Sequence, residues 1–281
     1  HRQARFDVAG SVSLIVALGS FLLALNQGRS WGWGSPAIVG LFLLAVTAAG
    51  IFLAVERRVR SPMVPLHIFR NRLFAAASLS SMFNFMGMSA SVFLMPFYLQ
   101  QVLGYPPSQA GLMLIASAVM MSLCAPISGS LSDRFGSRFL SPLGLACVAF
   151  GLYQLSTLTA AASPLDVVVR LALVGAGLGT FSSPNNNALM SAAPREMVGL
   201  ASGVIASMRN LGNVIGVAVA GTVLTSQMTH YTTTLTANGV SGSLLQQQAF
   251  LGGFRDALLV ASALATVGFV TALVRGPQHR G

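Results

Sequence analysis

Eight stretches of about 20 or more mostly apolar residues dominate the chain, at about 6–28, 35–55, 73–99, 108–128, 139–158, 166–190, 200–226 and 255–275. Polar and charged residues collect in the intervals between them. A helix needs about 20 largely apolar residues to cross the hydrocarbon core of a bilayer. Backbone N–H and C=O groups in hydrocarbon must pair within their own segment, which selects helices over open strands. The period-two alternation of a membrane barrel is absent. The pattern predicts an all-α integral membrane protein with eight transmembrane helices.

Composition and charge sharpen this picture. Of the 281 residues, 54% are hydrophobic and 8% charged, against about a quarter charged in a soluble domain. A formal net charge of +10 would suit nucleic acid, but its distribution excludes that class. All sixteen basic residues are Arg, and nearly all stand at the ends of apolar runs. If the chain enters its first helix from the cytoplasm, Arg2, Arg5, Arg57, Arg58, Arg60, Arg70, Arg72, Arg134, Arg138, Arg195, Arg275 and Arg280 lie inside. Only Arg29, Arg170 and Arg255 lie near the outer ends, and Arg209 lies within a helix. That bias predicts two cytoplasmic termini. A nucleic-acid surface would instead cluster its charge on one solvated face. Cys124 and Cys147 each fall inside an apolar run and read as small packing residues. The first run is long enough to span and lacks a small-residue exit, so no cleavable signal peptide is expected. The chain begins with His1, as a processed chain or a fragment would.

The connections divide the chain. Two helices joined by the turn 28–34, with Trp31 and Trp33 suited to an outer interfacial belt, form a first unit over residues 1–60. Residues 61–72 form a basic cytoplasmic linker with Pro62 and Pro65, expected to lie along the inner leaflet. The third unit, 73–281, contains six helices in two sets of three, 73–158 and 166–275. The segment 227–253 has no Asp, Glu, Lys or Arg and is rich in Thr, Ser, Gly and Gln. It reads as a flexible external loop with one short interfacial turn near Leu244 to Phe250.

The most informative connection is Gly129-Ser130-Leu131-Ser132-Asp133-Arg134-Phe135-Gly136-Ser137-Arg138, where charge is concentrated between two uncharged runs. Its pattern G-x-L-x-D-R-x-G-x-R resembles the signature loop of the major facilitator superfamily of transporters. Further features stand in family order: Arg5-Phe6-Asp7-Val8-Ala9-Gly10, the stretch Gly175 to Asn187, Ala201-Ser202-Gly203, Arg209-Asn210-Leu211-Gly212 with Gly216, and Ala249 to Arg255. Together they resemble the drug:proton antiporter branch with fourteen spanning helices. The resemblance implies that the first helix pair is the extra central pair of that branch and that the last six helices form its C-terminal half-bundle. It implies a missing N-terminal half, with the antiporter motif expected there.

In the family the charged loop acts as a conformational latch, and the match carries that role to Gly129, Asp133, Arg134, Gly136 and Arg138. Ser137 departs from the pattern, where a second base is usual, which implies a weaker latch. The competing reading is a generic positive-inside loop. Two glycines there are expected to allow a tight turn.

Arg209 is the one charge well inside an apolar run and should face the bundle interior with partners. With Asn210 it reads either as a substrate or proton-pathway group or as a structural Arg paired with helix-terminal carbonyls or Asp133. Helical spacing places Ser81, Asn84, Met88, Ser91 and Met95 on one stripe. Adaptable Met with a few polar groups suits a cavity for varied lipophilic compounds, and packing or lipid-facing residues are the alternative. Pro184 is expected to break its helix, so that Asn185 and Asn186 line a pocket together with Phe181; a simple kink is the alternative. The G-x-G-x-G at Gly175 to Gly179 follows no strand and reads as close helix packing, not as a nucleotide loop.

No hydrolase or nucleotide-binding motif is present, so the chain is not expected to be an enzyme. The six acids, Asp7, Glu56, Asp133, Asp166, Glu196 and Asp256, all fall at or beyond the ends of the apolar runs. Proton coupling needs an embedded carboxylate, which is therefore expected in the missing half; Asp166 and Asp7 are weak substitutes. The leading reading is the C-terminal half of a proton-coupled multidrug efflux transporter in a bacterial cytoplasmic membrane. It would move lipophilic or cationic small molecules by alternating access, with the proton gradient and no cofactor or metal. The alternatives are an exporter of one specific metabolite and a half-length membrane protein acting as a dimer or binding partner.

Overall fold

A computed structural model of the chain describes residues 8–32, 34–58, 66–194 and 197–274. The basic start at Arg5, the linker residues 59–65, Arg195, Glu196, Arg275 and Arg280 lie outside the described residues, as does the Asp133 side chain. The described chain forms eight long helices, one for each apolar run: α1 Val8–Trp31, α2 Pro36–Arg58, α3 Arg72–Phe97, α4 Pro107–Phe135, α5 Ser137–Ser156, α6 Pro164–Ala192, α7 Val198–Ala237 and α8 Gly242–Leu273. Among the described residues seven of them, α2 to α8, are long and apolar enough to cross a membrane; α1 spans 24 residues.

The helix ends follow from local chemistry. The Asn71 side chain accepts from the N–H groups of Leu73 and Phe74 at 3.0 and 3.5 Å and starts α3. Its amide donates to the Ala192 carbonyl at 3.4 Å, tying that start to the end of α6. Ser163 opens α6 with a reciprocal capping box to Asp166, and Pro164 occupies the first turn. Asp166 is thereby an exposed helix cap. Tyr98–Val102 adds a π-helical turn beyond Pro96 at the end of α3.

Two expectations are corrected here. The segment 227–253 is no loop: α7 continues to Ala237 and α8 begins at Gly242, so the connection is a four-residue turn with Gly239 at φ 82°. The threonines of α7 satisfy their hydroxyls on the helix itself, as in Thr232 to the Met228 carbonyl at 2.7 Å and Thr236 to the Thr232 carbonyl at 2.7 Å. Asp256 consequently lies about four turns inside α8 and not at a helix end. Pro184 breaks nothing, since α6 runs continuously through it.

Helices α3 to α8 form one bundle. α4 and α5 pack on α6, α3 on α7 and α8, and α8 on α5 and α7; α1 and α2 pack on each other and reach the bundle through α1 against α7. The core is built from Leu94 and Met95 of α3, Tyr98 and Leu99 of the π-helical turn after it, Leu152 of α5 and Phe254 of α8, all fully buried. The ring of Tyr98 stacks on Phe254 with centroids 4.9 Å apart, and its hydroxyl donates to the Thr159 carbonyl at 2.8 Å.

Glycines set the close crossings. A Cβ on Gly175 would run into the Ser117 backbone, and one on Gly179 would stand 2.5 Å from the Met121 carbonyl oxygen. The glycine repeat is thus the seam between α6 and α4, where Ser128 donates to the Gly179 carbonyl at 3.0 Å. Cys124 packs against Gly179, and the Cys147 thiol donates to the Leu173 carbonyl at 3.4 Å; both thiols are free and structural.

At the α7–α8 crossing, a Cβ on Gly252 would meet the Tyr231 ring, with Cε2 at 2.6 Å. That contact holds the Tyr231 hydroxyl on Asp256 Oδ2 at 3.1 Å. Gly252→Ala is expected to lower stability by about 1–2 kcal/mol through overpacking and the lost hydrogen bond. Thermal melting in detergent checks this. In a Tyr231→Ala background the same substitution should cost nothing further, and an equal cost in both backgrounds would remove the contact from the explanation.

Candidate functional site in the helix bundle

Two helix pairs, each running in parallel, face one another across a cavity. In the first, Gly212 and Gly216 let α7 touch α3: a Cβ on Gly212 would stand 2.5 Å from the Met82 carbonyl oxygen, and one on Gly216 would meet Met86 and Ser89. The second is the α4–α6 seam. Between the pairs lies an open cavity of about 290 Å³. Its lining is Ser81, Phe85 and Met88 of α3, Met121 of α4, Leu178, Phe181, Ser182 and Asn186 of α6, and Ile205 and Arg209 of α7. The α3 residues sit near the middle of that 26-residue helix, so the cavity lies well inside the apolar span.

Four predicted residues therefore meet at one place: Met88, Phe181, Asn186 and Arg209. Arg209 is exposed to the cavity, and no ion pair or hydrogen bond holds its guanidinium among the described residues. A charge at this depth is costly unless it is paired or reaches water, so an open cavity is where such a group can stand. It offers five donors in a fixed fork, beside the Asn186 amide and the Ser81 and Ser182 hydroxyls. Phe85, Phe181 and the two methionines supply a deformable apolar wall. The arrangement can bind an apolar molecule that carries hydrogen-bond acceptors.

Three predicted residues are placed elsewhere. Asn84 is fully buried, and neither its Oδ1 nor its Nδ2 has a hydrogen-bond partner among the described residues. Asn185 is also fully buried, with its amide donating to the Ala77 carbonyl at 3.3 Å, so it ties α6 to α3. Asn210 is exposed but lines no part of the cavity. The reason is rotational: adjacent helix positions differ by about 100°, so Phe85 and Asn186 face the cavity while Asn84 and Asn185 turn inward. The stripe read from the sequence splits accordingly, with Ser91 and Met95 buried in the core. Phe85 was legible as the position four residues after Ser81. Met121, Leu178 and Ile205 carry no signal that separates a cavity wall from a lipid-facing one.

The charged loop divides as well. Gly136, at φ 84°, makes the turn and donates its N–H to the Ser132 carbonyl at 2.8 Å. Gly129 does not belong to the turn: it lies in α4, where an added Cβ would stand 2.7 Å from Ser183 Oγ of α6. Arg134 and Arg138 are exposed at this end of the bundle. No group of three or more His, Cys, Asp or Glu suited to a metal occurs among the described residues.

Comparison with known proteins converges on one family. The family model described as Major Facilitator Superfamily matches residues 8–217. Multidrug resistance protein Stp of Mycobacterium tuberculosis is 34% identical over 223 residues, covering 79% of this chain and 41% of Stp. The tetracycline resistance determinant of Streptomyces rimosus is 33% identical over 223 residues, covering 78% of this chain and 63% of that protein. The chain thus spans less than two thirds of the length of these curated relatives. The inward-facing, unoccupied crystal structure of a bacterial homologue of the human lysosomal transporter Spinster shares the fold, with a TM-score of 0.64 at 14% identity over 95% of this chain and 64% of that one. The chain is a multi-pass membrane protein that belongs to the Major Facilitator Superfamily, a family of transporters and not of enzymes.

Proposed function

We propose that this chain forms the C-terminal part of a proton-coupled drug efflux carrier of a bacterial cytoplasmic membrane. In this reading residues 73–281 are the C-terminal six-helix bundle, 1–60 the extra central helix pair and 61–72 a cytoplasmic linker, with both termini in the cytoplasm. The observation that carries the proposal is the cavity where Arg209 and Asn186 stand among Phe85, Phe181, Met88 and Met121. Few convergent polar groups on a deformable apolar wall suit varied lipophilic molecules. The multidrug and antibiotic resistance named in the relatives supports the same reading. The second wall of the cavity and the proton-coupling carboxylate belong to an N-terminal bundle. Within the described residues Asp166 is occupied as a helix cap and Asp256 accepts from Tyr231.

Dye extrusion by the complete carrier in energised cells tests the proposal, and its collapse on addition of a protonophore tests the coupling. Extrusion that persists without a proton gradient removes proton antiport. A second reading, export of a single compound, is favoured by the Streptomyces rimosus relative, whose name carries one antibiotic. Protection against a chemically broad panel of drugs decides against it.

The loop 129–138 acts in this proposal as a latch that holds one of two states. An Asp133→Asn, Arg134→Ala double variant is expected to lower efflux severalfold at equal membrane abundance. Undiminished efflux removes the latch and leaves a turn set by Gly136.

A further inference from the structure

A second cavity, of about 520 Å³, opens at the opposite end of α7. It shares no lining residue and only one helix with the first. Along α7, its residue Tyr231 stands about 33 Å from Arg209, at 1.5 Å per residue. It lies where the end of α5 and the turn after it meet α7 and α8.

Its chemistry is divided. Tyr153, Leu158, Leu235, Leu251 and Leu259 form an apolar side. The polar side carries Arg255, Gln248 and Thr159. The charged groups Arg170, Asp166 and Asp256 at this end are engaged among the described residues. Arg170 donates to the Gln154 carbonyl at 2.7 Å and to Thr157 Oγ1 at 2.9 Å, capping the end of α5. Asp256 accepts from Tyr231, and Asp166 caps α6. Arg255 alone of these is exposed with no ion pair or hydrogen bond among the described residues. Its place on α8 is also fixed: Phe254, one residue before it, is fully buried against Tyr98.

We infer that this cavity is a binding site for an anionic phospholipid of the leaflet at the α7–α8 turn. The phosphate would sit on the Arg255 guanidinium, and the acyl chains would descend along the leucine side. An exposed guanidinium level with the α5–α6 turn, whose residues Ser156 to Thr159 line the same cavity beside an apolar wall, matches an amphipathic anion in both halves. A free anion would leave the leucine wall without a partner. A zwitterionic headgroup brings the same phosphate but also an ammonium that the Arg255 charge repels, so a headgroup of net negative charge is the better match. The volume falls within the ~300–1,000 Å³ of small-molecule sites.

The test uses purified full chain in detergent, titrated with phosphatidylglycerol or phosphatidylcholine of the same acyl chains and followed by thermal melting and native mass spectrometry. Phosphatidylglycerol is expected to bind at least about fivefold more tightly than phosphatidylcholine and to raise the melting temperature. Arg255→Gln should abolish that preference, whereas Arg70→Gln, exposed just before α3 at the other end of the bundle, should keep it. Arg255→Lys retains the charge and should restore most of the binding, which separates a lost headgroup contact from a folding defect. Equal binding of the two lipids, or a preference that survives Arg255→Gln, overturns the inference. Inorganic phosphate at millimolar concentration should not displace phosphatidylglycerol; if it does so with full effect, the site serves a small free anion and the lipid assignment falls.

Discussion

Arg209→Met is expected to lower drug extrusion by the complete carrier about tenfold or more at unchanged membrane abundance. Methionine keeps an unbranched apolar stem while removing the charge and all five donors. Hydrogen bonds to a charged group are worth about 1.5–3 kcal/mol, and each ~1.4 kcal/mol is a factor of ten in affinity. Because the guanidinium is exposed to the cavity and holds no partner among the described residues, its removal should leave folding nearly untouched. The loss should also sort substrates. Anionic or carbonyl-rich compounds, which accept from the fork, should lose most; cationic dyes, which the charge repels, should lose least. Arg209→Lys keeps the charge without the planar fork and should fall between. The measurement is initial efflux rate for a carbonyl-rich and a cationic substrate, normalised to carrier in the membrane. Unchanged rates for both would return Arg209 to a structural role and remove the cavity as the site of binding.

The helices were largely legible because the bilayer imposes one strong rule. Every apolar run of about 20 residues became a helix, and no soluble alternative competes for such a sequence. The rule fails where it does not apply. α7 and α8 extend beyond their apolar runs through Thr- and Gln-rich turns, and polarity there looked like a loop. Those hydroxyls return to carbonyls four residues earlier, so polar composition did not end the helix. Pro184 misled for a related reason: a proline removes one N–H, and a long buried helix tolerates that loss without breaking.

The site was legible only in part, for geometric reasons. Sequence identified the charge at Arg209 and the Met and Asn clusters, because such residues are conspicuous in an apolar chain. It could not fix helix rotation, and a single residue of phase separates the cavity-facing Asn186 from the buried Asn185. Partners across helices were equally hidden. Nothing in the sequence near Ser117 says that Gly175 will touch it, although the glycine spacing announced that something would come close.

That contact carries the largest stability effect expected in the bundle. Gly175→Val places a Cβ and two further carbons where the Ser117 backbone already stands. The obstacle is main chain, so no rotamer change relieves it, and α4 must move away from α6. Overpacking in a core costs about 1–3 kcal/mol where side chains can yield, and here the cost should reach or exceed the top of that range. Separation of the seam would also strain the Ser128 bond to the Gly179 carbonyl and displace Met121 from the cavity wall. Stability and transport should therefore fall together, unlike in Arg209→Met, where transport falls alone. Gly203→Ala provides the contrast: its added Cβ meets nothing within 4 Å on the helix α7, and removing a helical glycine should stabilise by about 0.5–1 kcal/mol. Folded yield and melting temperature of the two variants in the same detergent decide the point. A Gly175→Val protein that melts with the wild type would mean that α4 and α6 do not cross at Gly175, and the cavity built on that seam would have to be redrawn.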